Sequence, residues 1–239
     1  MSILIRRDEE IWREEGDWFT ARWHFSFDRY RDPDNMGWGN MRVFNDDHLI
    51  PGAIWPMHPH RDIEGLTYVV EGTFRHEDNV GGSPGPLPAG SVQRMTLGRG
   101  AYHSEQNGSE TEPMRFIQIW IMPSERSLDP GVEQRVFTKE DRNGRLLRAI
   151  SPEGGEAAKV HGNASVYVST LPAGQDLSHK FGDGMGGYLY VIQGAVSVNG
   201  NEMHTGDAAK IGDEPEIDIR ATSDAELILV EVDLTWSPS

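Results

Sequence analysis

The 239-residue chain contains no cysteine, which excludes a disulfide framework, a thiolate metal site and a cysteine nucleophile together. Basic residues are scarce: 22 Lys and Arg face 38 Asp and Glu, for a net charge of −16. A division after residue 137 leaves −8 on each side, so no basic half is hidden in the average. Such a polyanion is not expected to bind nucleic-acid phosphates directly. Lysine is rare even among the basic residues, 4 against 18 arginines and none before Lys139, a skew with no evident functional reason. Long apolar runs are also missing. A stretch such as Phe116 to Met122 falls far short of the roughly 20 residues a spanning helix needs, so no membrane partner is expected. The opening Met-Ser-Ile-Leu-Ile-Arg-Arg-Asp-Glu-Glu turns charged too early for a secretory signal, and the expectation is a soluble, cytoplasmic protein.

Helical periodicity is sparse as well. Short runs rich in Val, Ile, Tyr, Phe and Thr recur between glycine- and proline-marked turns, the pattern of an all-β chain. Strands are expected at Leu66–Glu71, Thr73–Glu77, Val92–Leu97, Met114–Met122, Val166–Leu171, Tyr188–Gln193, Ala195–Asn199, Ile217–Ala221 and Glu226–Val232. Asn199-Gly200 fits a tight hairpin turn. Residues 81–90, with four glycines and three prolines, read as a loop, and 123–163 as a polar connector with one short helix. A repeat is visible. Leu66 to Phe74 aligns with Tyr188 to Val196 at an offset of 122, Ala89-Gly90-Ser91 with Thr205-Gly206-Asp207, and Phe116–Ile119 with Leu227–Val230. A period this long suits two copies of one β-barrel module.

His58-Pro-His60 places two imidazoles on one face of an extended strand, with a proline acceptable only on an edge strand or where its missing N–H is not needed. His103-Ser-Glu105 repeats the spacing with an imidazole and a carboxylate. Were both strands to line one barrel interior, three nitrogens and one oxygen would converge, a donor set for a divalent transition ion. Neither pair means much by itself, since nine histidines yield roughly a third of one His-x-His pair by chance.

The setting adds weight. Gly52, His58-x-His60 and Glu64 fit the first motif of the cupin superfamily, and Gly82, Pro88-x-Gly90, His103 and Asn107 the second. Two spacings depart from the usual cupin: Glu64 to Gly72, and Gly90 to His103. Those departures resemble the pirin family, together with His58-Pro-His-Arg-Asp-Ile-Glu64, Tyr68-Val-Val-Glu-Gly72, His76-Glu-Asp78 and Gly98-Arg-Gly100 to Glu105. Trp23-His-Phe-Ser-Phe27, Asp32-Pro33 and Val43-Phe-Asn-Asp-Asp47 are similar to its bacterial quercetinase-type members.

The resemblance implies an all-β bicupin, two jelly-roll (double-stranded β-helix) barrels in one chain. Residues 1–137 are expected to form an N-terminal metal-binding cupin domain, and 138–239 a connector and a C-terminal cupin domain lacking ligands. Carried over, the metal ligands are His58, His60, His103 and Glu105, holding one divalent ion: iron first, with Mn, Co, Ni, Cu or Zn as alternatives. Glu64 is expected to orient a histidine rather than bind the ion, and His76 to support the pocket if register allows and to lie at the surface otherwise. At offset 122, His58 falls on Lys180, His60 on Gly182 and Glu64 on Gly186, so the second copy has lost the ligand set and keeps a lone His179.

The implied activity is cleavage of a quercetin-type flavonol by dioxygen with release of carbon monoxide, Glu105 accepting the substrate hydroxyl proton. The alternative from another class is a metal-loaded, redox-responsive regulator acting through a protein partner. Elsewhere, His24, His48, His161 and His204 lack ligand spacing and are expected at the surface or as caps. Trp55 and Met57 alternate with the two histidines and are expected to point away from them; Phe25 and Phe27 are expected to border the pocket. Five of seven tryptophans precede residue 56, as for an N-terminal segment packed across a barrel.

Overall fold

A strand that is apolar on both sides must be covered on both sides. Met114–Ile121, Met185–Gln193 and Ala225–Asp233 are of this kind, and each lies inside a sheet covered on both faces. The computed structural model describes residues 2–81 and 85–237. Gly82, the first residue of the second cupin motif, lies outside the described residues.

The chain folds as two jelly rolls, each a seven-stranded sheet facing a four-stranded one rather than one continuous closed barrel. In the N-terminal unit the seven-stranded sheet has Glu64–Glu71, Met114–Ile121 and Met41–Leu49 at its centre, and the small sheet runs Ile54–His60, Ala101–Asn107, Thr73–Asp78, Leu87–Pro88. In the C-terminal unit Met185–Gln193, Ala225–Asp233 and Ala164–Leu171 are central, opposite Asp176–Lys180, Glu216–Ala221, Ala195–Val198 and Asn201–His204. Among the described residues, no helix is long and apolar enough to cross a membrane.

All nine expected strands are present within three residues of their expected ends. Asn199-Gly200 closes the hairpin between Ala195–Val198 and Asn201–His204 with φ of 47° and 81°, the doubly positive pattern of a type I′ turn. The stretch 123–163 is more ordered than its polarity predicts. It holds the strands Gly131–Arg135, Leu147–Ser151 and Ala158–Lys159 beside the short helix Lys139–Arg142, which Thr138 and Asp141 cap reciprocally. These strands sit at or near sheet edges, where one polar face meets solvent and the apolar signal is weak. The sheet pairing also departs from a division into 1–137 and 138–239. Ile3–Arg6 pairs with Ala208–Ile211 and so belongs to the C-terminal sheet.

The repeat is visible in the backbone. Gly90 N–H donates to Val69 O at 2.8 Å, and Gly206 N–H to Val191 O at 2.8 Å; Val69 and Val191 reciprocate through Ser91 and Asp207. Gly72 and Gly194 hold φ of 80° and 90°, and a Cβ at either would lie within 2.5 Å of a carbonyl oxygen, that of Pro113 or of Asp224.

The two large sheets pack face to face. Phe44, Leu66, Tyr68, Ile117 and Ile119 from one meet Val166, Tyr188, Tyr190, Ile228 and Val230 from the other. His24, expected at the surface, is 0% exposed in this seam, where its Nδ1 lies 2.7 Å from Tyr188 Oη and its ring packs on Phe44 and Tyr190. Phe25 is in the same core, against Tyr188, and not at the pocket. The strand ends at Trp23, and the bend at 24–26 breaks the same-face rule that joined Phe25 to Phe27.

Candidate metal centre

Ile54–His60 is the edge strand of the four-stranded sheet, so Pro56 and Pro59 remove no hydrogen bond the sheet needs. It runs antiparallel to Ala101–Asn107, with His58 opposite His103 and His60 opposite Ala101. Between the pairs His58–His103 and Trp55–Glu105 one strand advances three residues and the other two, which is a β-bulge. The bulge turns Trp55 onto the face of His58, contrary to simple alternation, while Met57 points outward and is 49% exposed.

The ligating nitrogens of His58, His60 and His103 all lie within 4.8 Å of one another. Ring centroids are 4.5 Å apart for His58–His103, 4.8 Å for His58–His60 and 5.3 Å for His60–His103. His58 Nδ1 donates to Pro56 O at 2.7 Å, because a carbonyl only accepts, which leaves Nε2 as the nitrogen available to an ion. Burial, and then His58, lowers His60 to about 4, and burial with the neighbouring imidazoles lowers His103 to about 2. His60 and His103 thus present lone pairs rather than protons at neutral pH. Both ring nitrogens of buried His103 lack any hydrogen-bond partner. A buried imidazole with two idle nitrogens is unfavourable unless something else takes a lone pair. A divalent transition ion fits this donor set.

Glu105 lies on the same strand as His103, 5% exposed, and Gln118 Nε2 donates to its Oε1. Burial pushes Glu105 up to about 7 against the opposing effect of that bond. Its carboxylate stands outside the 4.8 Å set, so the structure brings together three of the four residues expected as ligands and sets the fourth on the wall of the same cavity. His76, opposite Glu105 on Thr73–Asp78, is buried; its Nε2 is 3.0 Å from Asp78 Oδ2 and its ring centroid 5.5 Å from that of His103.

Glu64 is elsewhere. On Glu64–Glu71 the alternation sends Thr67 inward to Gln118, and Glu64, Leu66 and Tyr68 to the seam. The Glu64 carboxylate accepts from Thr96 Oγ1 at 2.9 Å and from the backbone N–H of His161 and Gly162 at 2.6 and 2.8 Å, and pairs with His161 Nδ1. It anchors the loop between Ala158–Lys159 and Ala164–Leu171 of the second unit and orients none of the three clustered histidines. His161, expected as a surface or capping residue, is its partner.

The histidines open on a cavity of about 110 Å³ between the two sheets. Trp55, His58, His60 and Glu105 line one side; Asn45, Asp47, Phe116, Gln118 and Trp120 line the other, with Phe27 at the rim as expected. Asn45, Asp47, Gln118 and Trp120 escape sequence reasoning. The available signal is a polar residue on every second position, Asn45 and Asp47, and a lone glutamine inside the apolar Met114–Ile121.

In the C-terminal unit the register places His179 opposite Ile217, as His58 is opposite His103. Ile217 and Ile219 occupy the places of His103 and Glu105, since Ile219 pairs with Val198 as Glu105 pairs with His76. Strand pairing thus corrects the sequence offset by one residue: His179, not Lys180, corresponds to His58. Its Nε2 lies 3.2 Å from Glu231 Oε2, and isoleucines fill the rest. Among the described residues, His58, His60 and His103 form the only such cluster.

Residues 6–121 match the family model described as Pirin, and 149–232 that described as Quercetinase C-terminal cupin domain. The chain is 41% identical over 216 residues to the Caulobacter vibrioides protein named pirin-like protein, covering 90% of this chain and 92% of that one. It is 38% identical over 232 residues to the Escherichia coli K12 protein named quercetin 2,3-dioxygenase, covering 96% and 98%. The crystal structure of the Escherichia coli bacterial pirin YhhW in complex with nickel(II) superposes with a TM-score of 0.89 at 37% identity, covering 97% and 99%. Paired jelly rolls, one histidine cluster confined to the first, and these matches along the chain agree: the chain belongs to the pirin family.

Proposed function

We propose that this chain is a metal-dependent dioxygenase that opens a quercetin-type flavonol with one dioxygen, giving a depside and carbon monoxide. The observation that carries the reading is the gathering of three imidazoles within 4.8 Å, two of them on the wall of a cavity that Trp55, Phe116 and Trp120 also line, with a buried carboxylate in its side. The Escherichia coli relative named quercetin 2,3-dioxygenase supports it. His58, His60 and His103 would hold the ion, with Glu105 as fourth ligand. Iron is the first candidate on this imidazole–carboxylate set. Bound there, the ion supplies Lewis acidity and redox access to dioxygen.

The chain's own residues do the rest. Glu105, a buried carboxylate in the cavity wall, is placed to take the proton of the flavonol 3-hydroxyl. Gln118 fixes its carboxylate through one oxygen and leaves the other free to receive that proton. His76 holds the imidazole of His103 in place from behind. The test is aerobic incubation with quercetin, following loss of flavonol absorbance and release of carbon monoxide. Metal-dependent turnover supports the reading. No turnover with Fe, Mn, Co, Ni or Cu would favour a metal-loaded regulatory protein instead.

A further inference from the structure

The run Val43-Phe-Asn-Asp-Asp47 divides its side chains between two tasks. Asp46 faces the seam, where it takes Arg115 at 2.9 and 2.7 Å and Tyr190 Oη at 2.6 Å. Asn45 and Asp47 point the other way and line the metal cavity, 3% and 4% exposed. Asn45 Oδ1 and Asp47 Oδ1 are both buried without a hydrogen-bond partner. Two idle acceptors on one wall of one cavity are unfavourable unless a ligand or water supplies donors.

Their position gives them a meaning. They belong to Met41–Leu49 of the large sheet, whereas the three histidines belong to the small sheet, and the cavity lies between. Facing sheets pack about 10 Å apart, a gap that one oxygenated six-membered ring spans. A ligand that places a chelating oxygen pair at the imidazoles would therefore bring its remaining ring substituents against Asn45 and Asp47.

We propose that Asn45 and Asp47 are recognition residues that accept hydrogen bonds from a ligand hydroxyl other than the chelating pair, so that the site selects polyhydroxylated aromatics over chelators lacking such a hydroxyl. Either protonation state of Asp47 retains an accepting oxygen. A ligand without the extra hydroxyl leaves both acceptors desolvated and unpaired, and a site built to pair a hydroxyl discriminates strongly against its absence. The inference builds on the flavonol reading of the site but is separable from it.

The test uses the metal-loaded protein, kept anaerobic so that binding is read without turnover. Quenching of Trp55 and Trp120, both on the cavity wall, reports occupancy. The probes are quercetin and 3-hydroxyflavone, which share the 3-hydroxyl and 4-carbonyl and differ in the additional hydroxyls. Wild type is expected to bind quercetin roughly tenfold or more tighter than 3-hydroxyflavone. Asn45→Leu and Asp47→Leu are expected to remove most of that preference at unchanged metal content, and Asp47→Asn, which keeps an acceptor, to preserve it. Equal affinity of wild type for the two probes overturns the assignment without reference to any variant. So does a preference that survives in both leucine variants. If the preference is found but quercetin is not cleaved in air, the dioxygenase reading falls and the recognition role stands. If quercetin is cleaved without any preference, the recognition role falls and the dioxygenase reading stands.

Discussion

His58 stands directly opposite His103 across two antiparallel strands, their ring centroids 4.5 Å apart. One residue further along, a bulge inserts an extra position into the edge strand and brings Trp55 round to the same cavity. The strand pair thus supplies the clustered histidines and an aromatic wall from one short segment.

Trp55 packs edge-on against Trp18 and against Phe19, which holds it over the cavity. Trp55→Ala is expected to weaken quercetin binding by roughly tenfold, the effect of losing one large aromatic contact, with metal content unchanged. A titration of the anaerobic, metal-loaded variant followed by the flavonol's own absorbance checks this. Unchanged affinity would place Trp55 outside the binding wall.

Glu105→Gln keeps the size of the side chain and removes its basicity. Flavonol turnover is expected to fall by about a hundredfold or more, the usual contribution of a positioned base. Metal analysis accompanies the assay. Undiminished turnover at normal metal content would remove Glu105 from the reaction.

Asp46 is fully buried between Arg115 and Tyr190, and joins the two units. Burial pushes its carboxyl up, but the Arg115 hydrogen bonds and charge outweigh this and hold it below the usual range. Asp46→Ala strands the Arg115 guanidinium in the seam and is expected to destabilise the protein by about 3 to 5 kcal/mol in urea unfolding. A change below about 1 kcal/mol, as for an exposed pair, would show that the pair is dispensable.

His24 gives a pH signature. Burial, and then the Arg6 guanidinium, depresses it from 6.5 to about 3. The unfolded chain therefore binds a proton there at pH 5 that the folded chain does not, so stability is full above pH 6.5 and declines as pH falls toward 3. The share from His24 is about 2 kcal/mol between pH 7 and pH 5. His24→Gln, which cannot titrate, is expected to flatten the pH dependence of unfolding by that amount. An equally steep profile in the variant would contradict the assignment.

Most of the fold was legible because strands buried on both faces, such as Tyr188 to Gln193, are unbroken apolar runs between turns. Met41–Leu49 was not, although it is central, because Asn45-Asp46-Asp47-His48 reads as a loop; Asp46 finds its partners, Arg115 and Tyr190, only far away in the chain, and Asn45 and Asp47 face a cavity that no local signal reveals. The histidine pairs announced the site through period-two spacing on extended strands. Trp55 was misread because a bulge is a property of two strands in register, not of either strand's own sequence. Glu64 and His24 were misread for a shared reason. Their partners, His161 and Tyr188, come from beyond the first unit, and nothing local to either residue points across a seam.

The most direct measurement is the metal content of protein purified without added ions, for wild type, His58→Ala and His103→Ala. Close to one divalent transition ion per chain is expected in wild type and little in either variant, because each removes one of three imidazole nitrogens gathered within 4.8 Å. Full metal content in both variants would contradict the site.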